Sequence, residues 1–208
     1  MFSLLTFVCL YLFLKKILTS LKRIAVFGSG SGSNAENIYN YFSGSKDVSV
    51  AFFCTNNKNA FIVERAKKLN IPIIYTTKKK LIDGVELNKT LEHYNVDFIV
   101  LAGFLLKIPS KIINSYSKKI INIHPSLLPK YGGKGMYGKN IHRSIIKNKE
   151  KESGITIHFV NQNYDEGEII LQKKCFLSSN ETVLSLEQKI RRLESEYFPK
   201  IIEKLILK

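Results

Sequence analysis

The sequence predicts an α/β fold: one doubly wound domain with a mostly parallel sheet and helices on both faces. Short apolar runs rich in β-branched residues alternate along the chain with stretches of helical period, which is typical of this fold class. No repeat or linker divides the 208 residues, and a hydrophobic content of 45% suffices for one substantial core. Right-handed crossovers between parallel strands then determine most of the topology.

Each predicted strand is a short apolar run, and each predicted helix is a longer stretch between two such runs. The strands are predicted at residues 24–27, 48–54, 72–75, 97–102, 121–124, 154–160 and 168–176. The helices are predicted at about 34–42, 58–69, 81–94, 140–148 and 182–206. Loops rich in Gly or Pro follow the first and fifth strands, and candidate functional residues lie in or next to these loops.

Residues 1–22 are predicted to be an apolar N-terminal extension that lies outside the folded domain, residues 23–208. The apolar run 2–14 is short for a transmembrane helix, and a signal peptide would carry its positive charge before the apolar core. Two alternatives stay open. The segment is either a weak membrane anchor or an over-extended reading frame, since the next Met after Met1 is Met136.

The formal charge of +15 at first suggests a nucleic acid or a membrane surface as partner. Few of the 32 basic residues are Arg, while Lys, Ile and Asn are abundant throughout, so the charge says little about nucleic acid. It favours anionic small-molecule substrates, and we expect a monomer or homodimer without a nucleic-acid or membrane partner. The widely spaced Cys9, Cys54 and Cys175 suggest a reducing compartment and hence a cytoplasmic protein.

The end of the fifth predicted strand carries an amide and an imidazole, Asn122 and His124. Residues i and i+2 of a strand point to the same side, so the two side chains can converge on one small volume. An amide donor beside a titratable ring is suited to stabilising an oxyanion and moving a proton. An ordinary turn at the end of a strand remains the alternative from these residues alone.

A loop rich in Gly and Ser, residues 28–34, joins the first strand to a helix. Free backbone N–H groups and the helix dipole favour a phosphate at such a turn. The loop lacks the Gly-Lys-Ser/Thr ending of a Walker loop and departs from G-x-G-x-x-G. The second strand also ends without the acidic residue that would bind an adenosine ribose. A single phosphate monoester is therefore favoured over a dinucleotide, with a flexible turn as the alternative.

Asp165 lies in a polar loop between the last two predicted strands, just before Gly167. If those strands adjoin the fifth strand, its carboxylate can face His124, although a turn residue that caps the backbone is the plainer interpretation. His142 and His158 are interpreted as structural. The four histidines lack the spacing of a metal site, so no metal is expected.

Five segments together resemble the phosphoribosylglycinamide formyltransferase family. They are Gly-Ser-Gly-Ser-Asn at 30–34, Leu-Ala-Gly-Phe at 101–104, Asn-Ile-His-Pro-Ser-Leu-Leu-Pro-Lys-Tyr at 122–131, Gly-Ile-Thr-Ile-His-Phe-Val at 154–160 and Tyr-Asp-Glu-Gly at 164–167. The similarity runs in register from residue 23 to the C-terminus. It implies a Rossmann-like formyltransferase domain that uses 10-formyltetrahydrofolate as co-substrate and formylates the amine of glycinamide ribonucleotide in purine biosynthesis.

The resemblance also implies roles for individual positions. The catalytic set would be Asn122, His124 and Asp165, with the amide and a protonated imidazole donating to an oxyanion. The ribonucleotide contacts would be Gly32, Ser33 and Asn34 on the phosphate, Lys80 in place of the usual Arg, and Glu194 on the glycinamide side. The folate contacts would be Leu105, Leu106, Lys107, Ile108, Asn122, Asn161, Gln162, Asn163 and Tyr164.

Three other functions remain open at this stage. A methionyl-tRNA formyltransferase shares a related motif but normally adds a C-terminal tRNA-binding domain. A formyltetrahydrofolate hydrolase transfers the formyl group to water and typically carries an N-terminal regulatory domain. A non-catalytic nucleotide- or nucleic-acid-binding module would need only the glycine loop and the excess of Lys. It would leave Asn122, His124 and Asp165 without a joint purpose.

Overall fold

The computed structural model describes residues 21–208, and all but the last two residues of the predicted N-terminal extension lie outside it. The strands are β1 Lys22–Phe27, β2 Val48–Thr55, β3 Ile73–Tyr75, β4 Phe98–Leu101, β5 Ile120–His124, β6 Glu152–Phe159 and β7 Ile169–Phe176. The helices are α1 Ser33–Phe42, α2 Ile62–Lys68, α3 Lys78–Leu81, α4 Val85–His93, α5 Ser110–Ser115, α6 Lys139–Lys147 and α7 Val183–Ile206. Within residues 21–208 none of these helices has the length and apolar character needed to cross a bilayer.

The seven strands form one sheet in the order β3-β2-β1-β4-β5-β6-β7. The first five are parallel, whereas β6 runs antiparallel to both β5 and β7. The predicted α/β class with a mostly parallel sheet is therefore confirmed. Two helical details differ from the prediction. The helix predicted at 81–94 is divided at Gly84, whose φ of 69° ends a helical path, and the short helix α5 was not predicted.

Both faces of the sheet are covered, because alternate residues of the central strands enter different cores. Ile24 and Val26 of β1 pack with helices α1, α2, α6 and α7, while Ala25 and Phe27 pack with α3, α4 and α5. All four side chains are fully buried. A strand that is apolar on both faces is characteristic of a parallel sheet between two helical layers, and this explains the continuous apolar runs in the sequence.

The strand order reverses between β1 and β4. From β1 the chain continues to β2 on one side, and it later returns to place β4 on the other side. Ligands of open α/β sheets bind outside the carboxyl ends of the strands at such a switch point, because the loops on either side diverge there. The glycine loop follows β1 and the Leu-Ala-Gly-Phe segment follows β4, so both predicted substrate-binding segments lie at this crevice.

Candidate active site

A cavity of about 670 Å³ opens at the carboxyl ends of β1, β4 and β5. Its walls are the glycine loop, the segment after β4, the end of β5, the loop 133–139, and the α7 face that carries Glu187 and Glu194. Among the predicted site residues, those that line it are Gly32, Ser33, Asn34, Leu105, Asn122, His124, Tyr164, Asp165 and Glu194. One concave site thus unites segments that are far apart in the sequence.

The carboxylate of Asp165 is the point at which the predicted catalytic side chains meet. Asn122 Nδ2 donates to its Oδ1 at 3.3 Å, and His124 Nδ1 lies 3.5 Å from its Oδ2. The backbone N–H of Gly133 donates to the same Oδ2 at 2.9 Å. The two β5 side chains therefore lie on one side of the strand and converge, as residues two apart on a strand can.

Strand pairing and a tight loop hold this arrangement in place. β6 pairs with β5 so that Thr156 lies opposite His124. The hydroxyl of Thr156 donates to the carbonyl of Ser126 at 2.7 Å and accepts from the N–H of Leu128 at 3.0 Å, which anchors the loop after His124. Asp165 itself has a φ of 56°, in the left-handed region.

His124 is 4% exposed, and its ring nitrogens have different partners. Nε2 lies 2.7 Å from the carbonyl oxygen of Tyr131, which can only accept, so Nε2 carries a proton. Burial lowers the pKa of His124, and this outweighs the opposite effects of Asp165 and the Tyr131 carbonyl. The ring is therefore mostly neutral at pH 7, in contrast to the protonated ring expected from the sequence. Its Nδ1 is then a free base beside a carboxylate.

The carboxyl group of Asp165 remains ionised in this setting. Burial alone would raise its pKa, but the neighbouring His158, the charge that His124 can acquire and the Gly133 N–H together hold the pKa below its ordinary value. An ionised Asp165 attracts a proton onto Nδ1 of His124. The pair can consequently take up one proton when a reaction delivers it.

The glycine loop requires its glycine at position 32. Gly32 has a φ of 71°, and a Cβ there would lie 2.7 Å from Cβ and 2.8 Å from Cα of Ile62. Only glycine fits both the left-handed conformation and this close approach. The turn makes Ser33 the first residue of α1, so that the N-terminus of a ten-residue helix faces the cavity. Backbone N–H groups and the helix dipole favour an anion there.

Glu194 connects α7 to this loop. Its Oε2 accepts from Asn34 Nδ2 at 3.0 Å, and the side chain lines the cavity. Burial raises the pKa of Glu194 to about 7, despite the opposing effects of Asn34 and the nearby Arg191. The carboxyl group is thus divided between its protonated and ionised forms near neutral pH.

This raised pKa predicts a pH-dependent stability for wild type that Glu194→Gln should lack. Between the ordinary Glu pKa and about 7, folded Glu194 holds a proton that the unfolded chain has lost, so the free energy of unfolding falls as pH rises. Because water reaches the cavity, we expect this fall in the free energy of unfolding to be ~1–2 kcal/mol. The Tm of Glu194→Gln minus that of wild type should therefore increase by roughly 2–8 °C from pH 5 to pH 8, measured by circular dichroism.

The control is Glu196→Gln, an exposed position on the same helix. It removes one carboxylate from α7 without touching the cavity, so the difference between its Tm and that of wild type should show no such trend. A Glu194→Gln curve parallel to wild type over this pH range would refute the raised pKa of the half-buried Glu194.

The segment after β4 contributes apolar surface to the cavity. Leu105 and Tyr164 line it and are 45% and 42% exposed, so flat apolar surface is open to a ligand. Lys107 Nζ lies 5.9 Å from the centre of the Tyr164 ring, close enough for a cation–π contact. Ser29 Oγ accepts from the Leu105 N–H at 2.9 Å and donates to Asn56, which ties this segment to the glycine loop.

The remaining predicted contacts do not line the cavity. The Lys80 ammonium group pairs with Glu86 instead, on an exposed stretch of α3 and α4. Ile108 is 3% exposed and packs in the core against α3, α4 and α5. The other residues of this group are Leu106, Lys107, Asn161, Gln162 and Asn163. Their predicted roles in binding stay predictions.

Several residues at the site were missed from the sequence. Lys134, Lys139 and Arg191 line the cavity and bring positive charge to it, and Arg191 is paired with Glu187 at 2.6 Å. His158 lies beside Asn122 because the antiparallel pairing of β5 and β6 makes them direct partners. The alternation of Thr156 and His158 along a predicted strand was the available signal, but it indicates a neighbour only once the strand order is known.

Comparison with known proteins agrees with this geometry. A family model described as Formyl transferase matches residues 22–202. The chloroplastic phosphoribosylglycinamide formyltransferase of Arabidopsis thaliana is 38% identical over 187 residues, which cover 87% of this chain. This chain spans 64% of that relative's length and 61% of the length of the Vigna unguiculata relative.

Bacterial relatives match over nearly their whole length. The phosphoribosylglycinamide formyltransferase of Bacillus subtilis is 33% identical, with 89% of this chain and 95% of the relative covered. The crystal structure of phosphoribosylglycinamide formyltransferase from Bacillus halodurans superposes with a TM-score of 0.81 at 33% identity, covering 90% of this chain and 96% of that one.

Proposed function

The chain belongs to the formyl transferase family, and we propose that it transfers the formyl group of 10-formyltetrahydrofolate to the amine of glycinamide ribonucleotide, a step of de novo purine biosynthesis. Family membership confirms the resemblance carried by the five sequence segments. The observation that supports this activity most directly is the meeting of Asn122, His124 and Asp165 in the cavity that the glycine loop also lines.

The shape of the cavity fits the two proposed substrates. The glycine loop and the start of α1 offer N–H groups to a phosphate, and Arg191, which is paired with Glu187, lines the same cavity. Leu105 and Tyr164 offer exposed apolar surface to the ring system of a folate. Asn122, which lines the same cavity, would then meet the formyl carbon and the amine.

The first task of the residues is to stabilise negative charge. Attack of the amine on the formyl carbon places negative charge on the formyl oxygen, and Asn122 can donate an amide N–H to it. One well-placed donor of this kind contributes about 3 kcal/mol to the transition state. The glycine loop contributes separately, because a held phosphate keeps the amine in position and reduces the entropic cost of the encounter.

The second task is to move one proton. The attacking amine must lose a proton, and N10 of the folate must gain one as its bond to the formyl carbon breaks. Nδ1 of the mostly neutral His124 can take up the proton, directly or through water, and Asp165 stabilises the imidazolium that forms. The same proton can then pass to the leaving nitrogen. Because the pair receives and returns one proton, it is unchanged after each turnover.

A formyl-transfer assay tests the proposal directly. Purified protein and 10-formyltetrahydrofolate are mixed with glycinamide ribonucleotide, with methionyl-tRNA, or with no acceptor. We expect formylglycinamide ribonucleotide as the product. Formylmethionyl-tRNA or free formate as the main product would contradict the proposal and assign the chain to one of the other two formyl-group reactions.

Ser33→Asp tests the phosphate position, because it places a carboxylate where a phosphate should bind. A carboxylate and a phosphate a few ångströms apart repel strongly in a partly buried site, so the Kd for glycinamide ribonucleotide should rise by about 100-fold. An acidic residue also stabilises a helix N-terminus, so folding should be preserved. Isothermal titration calorimetry measures the Kd, and thermal denaturation verifies the fold.

Ser43→Asp is the matched control, since it adds the same charge at the other end of α1. Its Kd for the ribonucleotide should stay close to that of wild type. Equal affinities for wild type and Ser33→Asp would refute the assignment of the phosphate site to this loop. The formyl-transfer reaction would still be tested separately by the assay above.

Three further expectations stay predictions: a cytoplasmic location, a monomer or homodimer, and the absence of nucleic-acid and membrane partners. Among the described residues Cys54 and Cys175 are free thiols, which is compatible with a reducing compartment. Small-molecule substrates are consistent with the family.

A further inference from the structure

We propose that His158 is a positioning residue that orients the amide of Asn122 for formyl transfer, an inference that rests on the proposed function. His158 is 2% exposed, and the wall of the cavity is formed by other residues, so its side chain does not reach a substrate. It is the direct cross-strand partner of Asn122 in the β5–β6 pair. Side chains of direct partners project from the same face, within reach of each other.

The position of the ring proton follows from the contact at Nδ1. Nδ1 of His158 lies 2.8 Å from the carbonyl oxygen of Phe159, which only accepts hydrogen bonds. Nδ1 therefore carries the proton, and in the neutral ring Nε2 carries a lone pair. Nε2 lies 3.1 Å from Nδ2 of Asn122 and 3.7 Å from Oδ1 of Asp165, so its hydrogen-bond partner is the amide, whose N–H donates to it.

These contacts fix which end of the Asn122 amide faces the Asp165 side. If the amide were turned over, its oxygen would face the lone pair of His158 Nε2 and the carboxylate of Asp165, and all of these only accept. Nδ2 has two N–H groups. His158 holds one of them, and the other points toward Asp165 Oδ1 at 3.3 Å. The second N–H is the one that can be shared with a developing oxyanion.

The loop after β6 supports the same arrangement. Gly167 packs so closely on this strand that a Cβ there would lie 1.7 Å from the Phe159 carbonyl oxygen and 3.4 Å from His158 Nδ1. The loop that carries Asp165 is therefore pressed against the backbone that holds the His158 ring. His158, Asn122 and Asp165 form one packed unit in which the ring supplies an acceptor and the carboxylate supplies a charge.

The test uses two replacements that each preserve a different ring nitrogen. Asn at position 158 can keep the hydrogen bond to the Phe159 carbonyl but offers no acceptor at the position of Nε2. Gln can place an amide oxygen near Nε2. We expect His158→Asn to lower kcat about tenfold, the value of one neutral hydrogen bond, with little change in KM for either substrate. His158→Gln should recover most of this loss.

A double-mutant cycle separates positioning from a general structural role. In an Asn122→Ala background there is no amide to orient, so adding His158→Asn should cause no further loss of kcat. The same tenfold loss in both backgrounds would overturn the inference. So would wild-type kinetics of His158→Asn, or a folded His158→Gln that loses as much activity as His158→Asn. Circular dichroism and thermal denaturation verify that each variant folds.

Wild type is assayed first, which separates the two proposals. A wild type that produces no formylglycinamide ribonucleotide would overturn the proposed function and this inference with it. An active wild type with a fully active His158→Asn would overturn only the role of His158.

Discussion

His124→Ala is expected to lower kcat for formyl transfer by about 10²- to 10⁴-fold, the range for loss of a general base. The Kd for glycinamide ribonucleotide should change little, because the phosphate is proposed to bind at the glycine loop after a different strand. The loss has two physical sources. Of the two histidines beside Asp165 only His124 lines the cavity, so no basic nitrogen remains there to receive the proton of the amine. The charge of Asp165 also loses the imidazolium that it would stabilise. Stopped-assay kinetics with both substrates varied measure the effect.

Alanine also removes the hydrogen bond to the Tyr131 carbonyl, so a second variant is needed. His124→Gln can keep a donor at the position of Nε2 while offering no basic nitrogen. It should retain the Tm of wild type and lose as much kcat as alanine does. His93→Ala, at the exposed end of α4, is the control for removal of a histidine. Turnover of His124→Gln near the wild-type value would exclude His124 as the proton carrier.

Gly32→Ala is expected to impair both stability and ribonucleotide binding. The new Cβ would enter a left-handed residue and approach Ile62 to 2.7–2.8 Å, and the contacted atoms belong to the first residue of α2 rather than to a flexible side-chain end. Backbone strain and overpacking together should lower the free energy of unfolding by roughly 2–4 kcal/mol. Because the loop must move, its N–H groups lose their alignment. The Kd for the ribonucleotide should rise at least about tenfold, the equivalent of one hydrogen bond to a charged group.

Gly44→Ala is the matched control for this variant. Gly44 lies in the turn after α1, has no heavy atom within 4 Å of an added Cβ, and is remote from the cavity. Its stability and its Kd should equal those of wild type. Chemical denaturation and calorimetry on both variants measure the two quantities. If Gly32→Ala matched Gly44→Ala in both, the close approach to Ile62 would not be a requirement of the loop.

Much of the fold was predictable because burial on both faces leaves a strong pattern. Every predicted strand is present, and the central ones leave the strongest pattern, since a strand between two helical layers must be apolar throughout. The helix boundaries were less predictable. The helix predicted at 81–94 is divided at Gly84, whose positive φ was not evident from the sequence. The six-residue helix α5 is too short to show a helical period.

The candidate site was predictable only where neighbours in sequence are neighbours in space. Asn122 and His124 lie two apart on one strand, so their convergence follows from strand geometry. His158 was interpreted as structural because the histidines lack the spacing of a metal site. Its contact with Asn122, 36 residues away, arises only through antiparallel pairing. The basic residues of the cavity were missed for a similar reason. Arg191 reaches the site from the last helix, and a count of charges does not show which of them face inward.

Because the site residues lie partly on strands and partly on a loop, they should be lost at different stages of unfolding. Asn122, His124 and His158 lie on β5 and β6 inside the sheet, where backbone hydrogen bonds should open only with global unfolding. Asp165 lies on a loop, and its carboxylate is held by side chains and a single backbone N–H. Local fluctuations, which cost far less than global unfolding, should therefore remove the carboxylate while the strand residues stay in place. The protein would then keep its full secondary structure while it lacks the charge that its reaction needs, so native-state hydrogen exchange should report two separate protection levels within one site.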